Sequence, residues 1–257
     1  MGLARIGIVG WSVDDFFGAS KQYLNYLSQF GRVEIITPSK KLNCFDLVIL
    51  PGGPDISPTK YNKVPEYFTG KQCPFREFFD NYHLPKLVEK KVPIFGICRG
   101  MQYIWTYFSG DLWQHLDFHP QSTNGRGELV HPVDFHPPYD KAFKDFSFCS
   151  SKEKGVWVNS LHHQGAKFSS TPDCLNVIAI TRITKNHKKC RIVEAFRHKT
   201  LPIAGVQFHP EENNHPLSNI LIKELLGRKE LKIEEKENGN GNTEESQTSN
   251  SNADPLP

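Results

Sequence analysis

The sequence predicts a three-layer α/β fold with a mostly parallel central sheet. Short buried apolar runs alternate with amphipathic stretches through the first half. Several of these runs stop abruptly at glycine- or proline-rich turns. The length, 257 residues, suits one α/β domain with a full hydrophobic core. Strands alternating with helices imply parallel strands covered on both faces.

The run RIGIVG at 5–10 predicts a first buried strand. Ser20 is placed to cap a helix through KQYLNYLSQF, which Gly31 ends. Residues 33–37 and FDLVIL at 45–50 predict two further strands, the second stopped by Pro51-Gly52-Gly53-Pro54. The stretch 75–90 is helical in its second half, although Pro85 interrupts it. VPIFGI at 92–97 reads as another buried strand, followed by a helix over 100–109 that Gly110 closes. Four extended runs follow: GVWVN at 155–159, NVIAIT at 176–181, RIVEAF at 191–196 and IAGVQF at 203–208. A last helix is expected over 217–226. The segment 118–145, rich in Pro, Gly and His, reads as loop with room for one strand.

Lys and Arg total 31 against 28 acids, a net charge of +3, which argues against a nucleic-acid binder. Mean hydropathy is −0.48 and no apolar run approaches a membrane span, so no membrane segment is expected. The start has no signal-peptide core. Cys44, Cys73, Cys98, Cys149, Cys174 and Cys190 form no Cys-x-x-Cys pair. Free thiols in a reducing compartment, the cytoplasm, are therefore expected. From Lys229 onward three lysines face seven acids, a net of −4 that leaves +7 for the body. The end, NGNGNTEESQTSNSNADPLP from Asn238, is too polar to fold on its own. The expected organisation is thus a catalytic domain over 1–228 and a disordered acidic tail over 229–257.

Gly96-Ile97-Cys98-Arg99-Gly100 lies where a buried strand meets a helix, the arrangement of a nucleophile elbow. The sharp turn pushes the Cys98 side chain out at the carboxyl end of the sheet. The positive end of the following helix favours an anion there. The Arg99 N–H would point at an oxyanion, and Gln102, four residues on, shares the face of Cys98. A buried structural cysteine is the alternative, and the strand-to-helix context favours the reactive one. The base candidate is His209, where Pro210 stops a buried strand. Glu211, two residues on, points the same way in extended backbone and can orient it. After Leu50, Gly52 and Gly53 free a backbone N–H to approach a ligand, and Gly53 or Gly52 would complete a two-donor oxyanion hole with Arg99. His162 and His163 follow a strand and either contact substrate or cap the loop. His115, His119, His131 and His136 invite a metal reading, but their spacings match no zinc pattern and no acids stand beside them in sequence. No metal is expected.

Five segments together resemble the class I glutamine amidotransferase-type domains, and among them the gamma-glutamyl-gamma-aminobutyrate hydrolases. They are LPGGPDISPTKY from Leu50, PIFGICRGMQ from Pro93, NSLHHQ from Asn159, IVEAF from Ile192 and GVQFHPE from Gly205, in family order. The resemblance implies a flavodoxin-like three-layer fold and a Cys-His-Glu set of Cys98, His209 and Glu211. It implies that Gln102 and the loop carrying Asn159, Ser160, His162, His163 and Gln164 hold the glutamyl amino and carboxylate ends. It implies hydrolysis of a γ-glutamyl amide or glutamine through a γ-glutamyl thioester, without a cofactor. The sequence departs from the group at Pro54, where a third glycine is usual, and at His115, where an Asp is usual. Pro54 has no N–H to donate. Two other activities fit the same segments: a glutaminase delivering ammonia to a synthetase or ligase partner, and a catalytically silent binding protein.

Overall fold

Alternate side chains of the apolar runs feed two separate cores, one on each face of a central sheet. The computed structural model describes residues 2–13, 16–37, 42–117, 119–137, 156–185 and 188–239. In chain order the strands are β1 (Arg5–Val9), β2 (Trp11–Val13), β3 (Phe16–Gly18), β4 (Arg32–Ile36), β5 (Leu47–Leu50), β6 (Ile94–Ile97), β7 (Leu112–Trp113), β8 (His131–Phe135), β9 (Val156–Val158), β10 (Gly165–Lys167), β11 (Leu175–Lys185), β12 (Lys188–His198) and β13 (Ile203–Val206). The helices are α1 (Lys21–Ser28), α2 (Pro74–Glu89), α3 (Arg99–Tyr107) and α4 (Pro216–Gly239).

The sheet runs β4-β1-β5-β6-β13-β12-β11-β8-β9, with β10 and β7 attached beside β12. From β4 to β13 every pairing is parallel. Beyond β13 every pairing is antiparallel. The expected mostly parallel sheet thus holds for the half from β4 to β13, and the other half is antiparallel. The physical reason is connection length: β11 and β12 are adjacent in sequence and pair down to Lys185 opposite Lys188, which a parallel crossover cannot do.

On one face Ile6, Ile8, Leu47, Ile49, Phe95 and Ile97 pack with Leu27 of α1 and Leu217, Leu221 and Leu225 of α4. On the other, Val48, Leu50 and Ile94 pack with Phe79, Leu84 and Leu87 of α2 and Met101, Ile104 and Trp105 of α3. Each fully buried side chain of this kind contributes about 1.5–3 kcal/mol. This burial explains why α2 is continuous through Pro85: the proline faces solvent while Leu84 and Leu87 beside it are buried. The last helix extends past residue 226 to Gly239, so 229–239, expected to be disordered, is helical; its run of Lys, Glu and Leu favours helix. The rest of the tail, Cys149 and residues 138–145 of the 118–145 segment lie outside the described residues. Within that segment β8 forms.

β5, β6 and β13 are direct neighbours in the parallel half. Leu50 pairs opposite Gly96, and Val206 opposite Ile97, so all three strands end at the same sheet edge. Residues 51–53, Cys98 and 207–211 emerge side by side.

Candidate active site

Cys98 leaves β6 with φ 51° and ψ −106°, a left-handed backbone that costs a residue with a side chain on the order of 1–3 kcal/mol. The surrounding structure holds it there. Its N–H donates to the Val206 carbonyl at 2.8 Å, and its own carbonyl accepts from the Gln102 N–H at 3.0 Å. α3 passes directly over β5, and a Cβ on Gly100 would overlap the Leu50 carbonyl oxygen. Only glycine permits that approach. Cys98 is 6% exposed, shielded but at the protein edge of the sheet.

His209 Nδ1–H donates to Glu211 Oε1 at 2.6 Å. The ring also hydrogen-bonds the Cys98 thiol, which leaves Nε2 for the sulfur. Burial works against the charged imidazolium, but the Cys98 thiolate and then Glu211 outweigh it, and His209 is raised from 6.5 to about 10. Cys98 and Glu211 thus both favour the charged imidazolium of His209.

Three groups position this pair; sequence reasoning missed the first two and named the third, Asn159, only as a substrate contact. The first is Tyr23 of α1. Its hydroxyl lies 3.4 Å from His209 Nδ1 and accepts the Gly52 N–H at 3.0 Å. Burial first, and then the Glu211 charge, push its pKa well above 10, so it stays a neutral phenol. The second is Arg76, fully buried on α2, which donates to the Pro51 and Gly52 carbonyls at 3.0 Å each and pins the glycine loop. Four residues on, Asp80 forms a buried ion pair with Arg99. Arg76 and Asp80 at i and i+4 on one helix face were the available signal. The third concerns Asn159. Its Oδ1 accepts the His209 N–H at 2.9 Å, and its Nδ2 donates to the His209 and Arg126 carbonyls at 2.9 Å each. Asn159 grips the His209 backbone.

The glycine loop lies where expected, but Gly52 and Gly53 differ. The Gly52 N–H is engaged by Tyr23, and a Cβ on Gly52 would stand 2.8 Å from His209 Cε1. Gly53 packs against the Arg99 side chain. Arg99 begins α3, and the first N–H of a helix has no partner within it.

The 159–164 loop does come to the same edge. Gln102 Nε2 donates to the Gln164 carbonyl and to Gln207 Oε1, at 3.1 Å each. Ser160 and Gln164 are buried, with the Ser160 hydroxyl and both ends of the Gln164 amide lacking hydrogen-bond partners. His163 is the most open of the set, 39% exposed, with Nε2 3.0 Å from Asp55 Oδ1, which raises its pKa. His162 instead turns inward. It meets His119, His131 and Glu194, four buried donors whose ligand atoms lie within 4.8 Å of one another. The expectation that no acid accompanies these histidines is corrected: Glu194 on β12 reaches them across β11, which sequence spacing does not reveal. Burial lowers His119 to about 3 and raises Glu194 to about 8.

A strained cysteine elbow, an imidazole three residues past the neighbouring parallel strand and a carboxylate behind it thus meet at one sheet edge of a hydrolase of the glutamine amidotransferase type. The chain belongs to the Peptidase C26 family, whose model matches residues 20–211. YvdE of Lactococcus lactis, named a glutamine amidotransferase-like protein, is 29% identical over 199 residues, 74% of this chain and 79% of its own. The gamma-glutamyl-gamma-aminobutyrate hydrolase PuuD of Escherichia coli is 27% identical over 235 residues, 84% of this chain and 88% of its own. Among solved structures, Ta0944m of Thermoplasma acidophilum superimposes with a TM-score of 0.57 at 19% identity, over 91% of this chain and 99% of its own, a likeness of fold. No helix among the described residues is long and apolar enough to cross a membrane.

Proposed function

We propose that this protein hydrolyses a γ-glutamyl amide bond. The Cys98 thiolate attacks the γ-carbonyl, and the N–H groups of Arg99 and Gly53 hold the oxyanion, because Tyr23 already occupies the Gly52 N–H. His209, charged in the resting pair, protonates the departing amine. Neutral His209 then activates water to hydrolyse the γ-glutamyl thioester, and Glu211 holds the ring and stabilises its charge. Gln102 and the loop bearing Ser160, His163 and Gln164 receive the glutamyl end. Each role needs only side chains and backbone of this chain. The free thiols of Cys73, Cys98 and Cys174 suit the reducing cytoplasm.

The observation that carries the proposal is the Cys98–His209–Glu211 alignment at the ends of adjacent strands. It is tested with a panel of γ-glutamyl amides and mass-spectrometric detection of glutamate. Wild-type chain should release glutamate from at least one amide, and Cys98→Ala from none. Equal release by both would refute the mechanism. A second reading has one observation in its favour: anthranilate synthase component 2 of Pseudomonas putida is 32% identical over 145 residues, 54% of this chain and 64% of its own. A partner-dependent glutaminase would turn over glutamine only with a synthetase present, whereas the free hydrolase works alone.

A further inference from the structure

We propose that His119, His131, His162 and Glu194 form a structural transition-metal site, of the kind taken by Zn²⁺, that fastens the 159–164 loop. Each of the four is at most 5% exposed. They come from four separate places: the segment before β8, β8 itself, the loop after β9, and β12.

Two of the imidazoles have their tautomer set by backbone carbonyls, which can only accept. His162 Nδ1–H donates to the Gln164 carbonyl at 2.8 Å. His131 Nδ1–H donates to the Pro132 carbonyl at 3.2 Å, with the Thr181 hydroxyl 3.1 Å from the same nitrogen. Each ring therefore carries its lone pair on Nε2, aimed into the cluster. Donating the far N–H to a carbonyl is how metal-bound histidines are oriented.

Two of the edges lie near the spacing of a tetrahedral ion, and none exceeds 4.8 Å, so a small inward shift of the side chains closes the shell. Two nitrogens bound at about 2.0–2.1 Å to one tetrahedral ion stand roughly 3.3 Å apart. His119 Nε2 and His162 Nε2 are 3.3 Å apart. His131 Nε2 and Glu194 Oε1, at 4.0 Å, make a slightly longer edge. The alternative, a purely hydrogen-bonded cluster, leaves too much bare. His119 Nε2–H could donate to His162 Nε2, but His131 Nε2 and both Glu194 oxygens would still have no partner. A fully buried carboxyl without a hydrogen bond is costly, and a bound cation removes that cost.

Three imidazoles and one carboxylate select an ion that accepts nitrogen and four-fold coordination, as Zn²⁺ does, over Mg²⁺ or Ca²⁺. Four protein ligands close the shell, so the role is structural. Its consequence is local. The segment carrying His119 lies along the loop, with the Leu116 N–H bonded to the His163 carbonyl at 2.8 Å, Gln121 Nε2 to the His162 carbonyl at 2.7 Å, and the Ser122 N–H to the Ser160 carbonyl at 2.8 Å. The same loop carries Asn159, which grips His209. The ion would thus brace both sides of the loop that supports His209. This inference stands apart from the γ-glutamyl reading and survives its failure.

The test uses the full chain in a Cys98→Ala background, so that the thiol cannot take the ion. The protein is stripped with a chelator and titrated with Co²⁺ and then Zn²⁺. The site should take one equivalent of Co²⁺, give the intense visible absorption of tetrahedral nitrogen–oxygen coordination without a thiolate charge-transfer band, and release it to Zn²⁺. Zn²⁺ should raise the Tm of the stripped chain by about 5 °C or more. His119→Ala and Glu194→Gln should each weaken binding by roughly 100-fold or more, while His136→Ala, outside the four donors, should bind as the parent does. If those two variants fail to fold, the stoichiometry and spectrum of the parent chain decide. Substoichiometric binding by the parent, an octahedral spectrum, or unchanged affinity in folded Glu194→Gln and His119→Ala chains would overturn the proposal.

Discussion

Replacing Gly52 by alanine adds one methyl group at the point where the glycine loop meets His209. The new Cβ would stand 2.8 Å from His209 Cε1 and 3.0 Å from the Tyr23 hydroxyl. Carbon atoms rest at about 3.5 Å or more, so the imidazole must retreat by roughly 0.7 Å. That motion pulls Nε2 off Cys98 or Nδ1 off Glu211, because the 2.6 Å bond to Glu211 has no slack. Misplacement of a reacting group by about 1 Å costs roughly 100-fold, so kcat/KM should fall about 10- to 100-fold. Overpacking of this size costs about 1–3 kcal/mol, a Tm decrease of several degrees with the fold retained. Two assays read the effect: glutamate release, and the rate at which iodoacetamide alkylates Cys98 at neutral pH, which follows the thiolate and needs no substrate. Adding Tyr23→Phe relieves only the hydroxyl contact and should not restore either rate. A Gly52→Ala chain with wild-type turnover and wild-type alkylation would refute the claim that the imidazole is held against that loop.

Three further outcomes follow from the same geometry. His209, raised to about 10 by its anionic neighbours against its burial, should titrate near there by NMR, and in Cys98→Ala its pKa should fall sharply because the largest raising influence is gone. A raised pKa means that the stabilising contribution of His209 is complete below about 6.5 and is lost as pH climbs through about 10, so both stability and alkylation of the ion pair should change on that alkaline side; a titration near 6.5 in the wild type would contradict this. Asn159→Ala should lower kcat by roughly 10- to 100-fold with little change in KM, since it frees the His209 backbone; a raised KM at unchanged kcat would make Asn159 a substrate contact instead. Arg76→Met should cost about 2–4 kcal/mol in urea unfolding because the Pro51 and Gly52 carbonyls lose their donors in a buried place; unchanged stability would show that the loop holds itself.

The parts of the fold that were legible in the sequence are those encoded locally. Runs such as RIGIVG and VPIFGI are apolar on both strand faces because both faces are covered, and they became β1 and β6. The elbow was legible because a strand, a glycine pair and a helix are contiguous around Cys98. His209 and Glu211 were legible as a pair, but not the backbone that joins them: the expected extended chain is a 3-10 turn over Pro210–Glu212, which brings the carboxylate to the ring. Long-range pairing was not. Two- and three-residue strands such as β7 and β10 carry too little pattern to place. The same limit hid the histidine cluster. His119, His131 and His162 read as scattered residues until β8, β11 and β12 align, and Glu194 looked like one polar residue in the strand run RIVEAF. Asn159 was legible as a site residue, but its bonds to a backbone 50 residues away were not.

The most direct test of the central claim is the mass of the enzyme itself during turnover. Wild-type chain mixed with a γ-glutamyl amide and quenched in acid should carry one γ-glutamyl group, mapped by peptide sequencing to Cys98 and released by hydroxylamine. Turnover that proceeds with no such adduct, and persists in Cys98→Ala, would contradict the account.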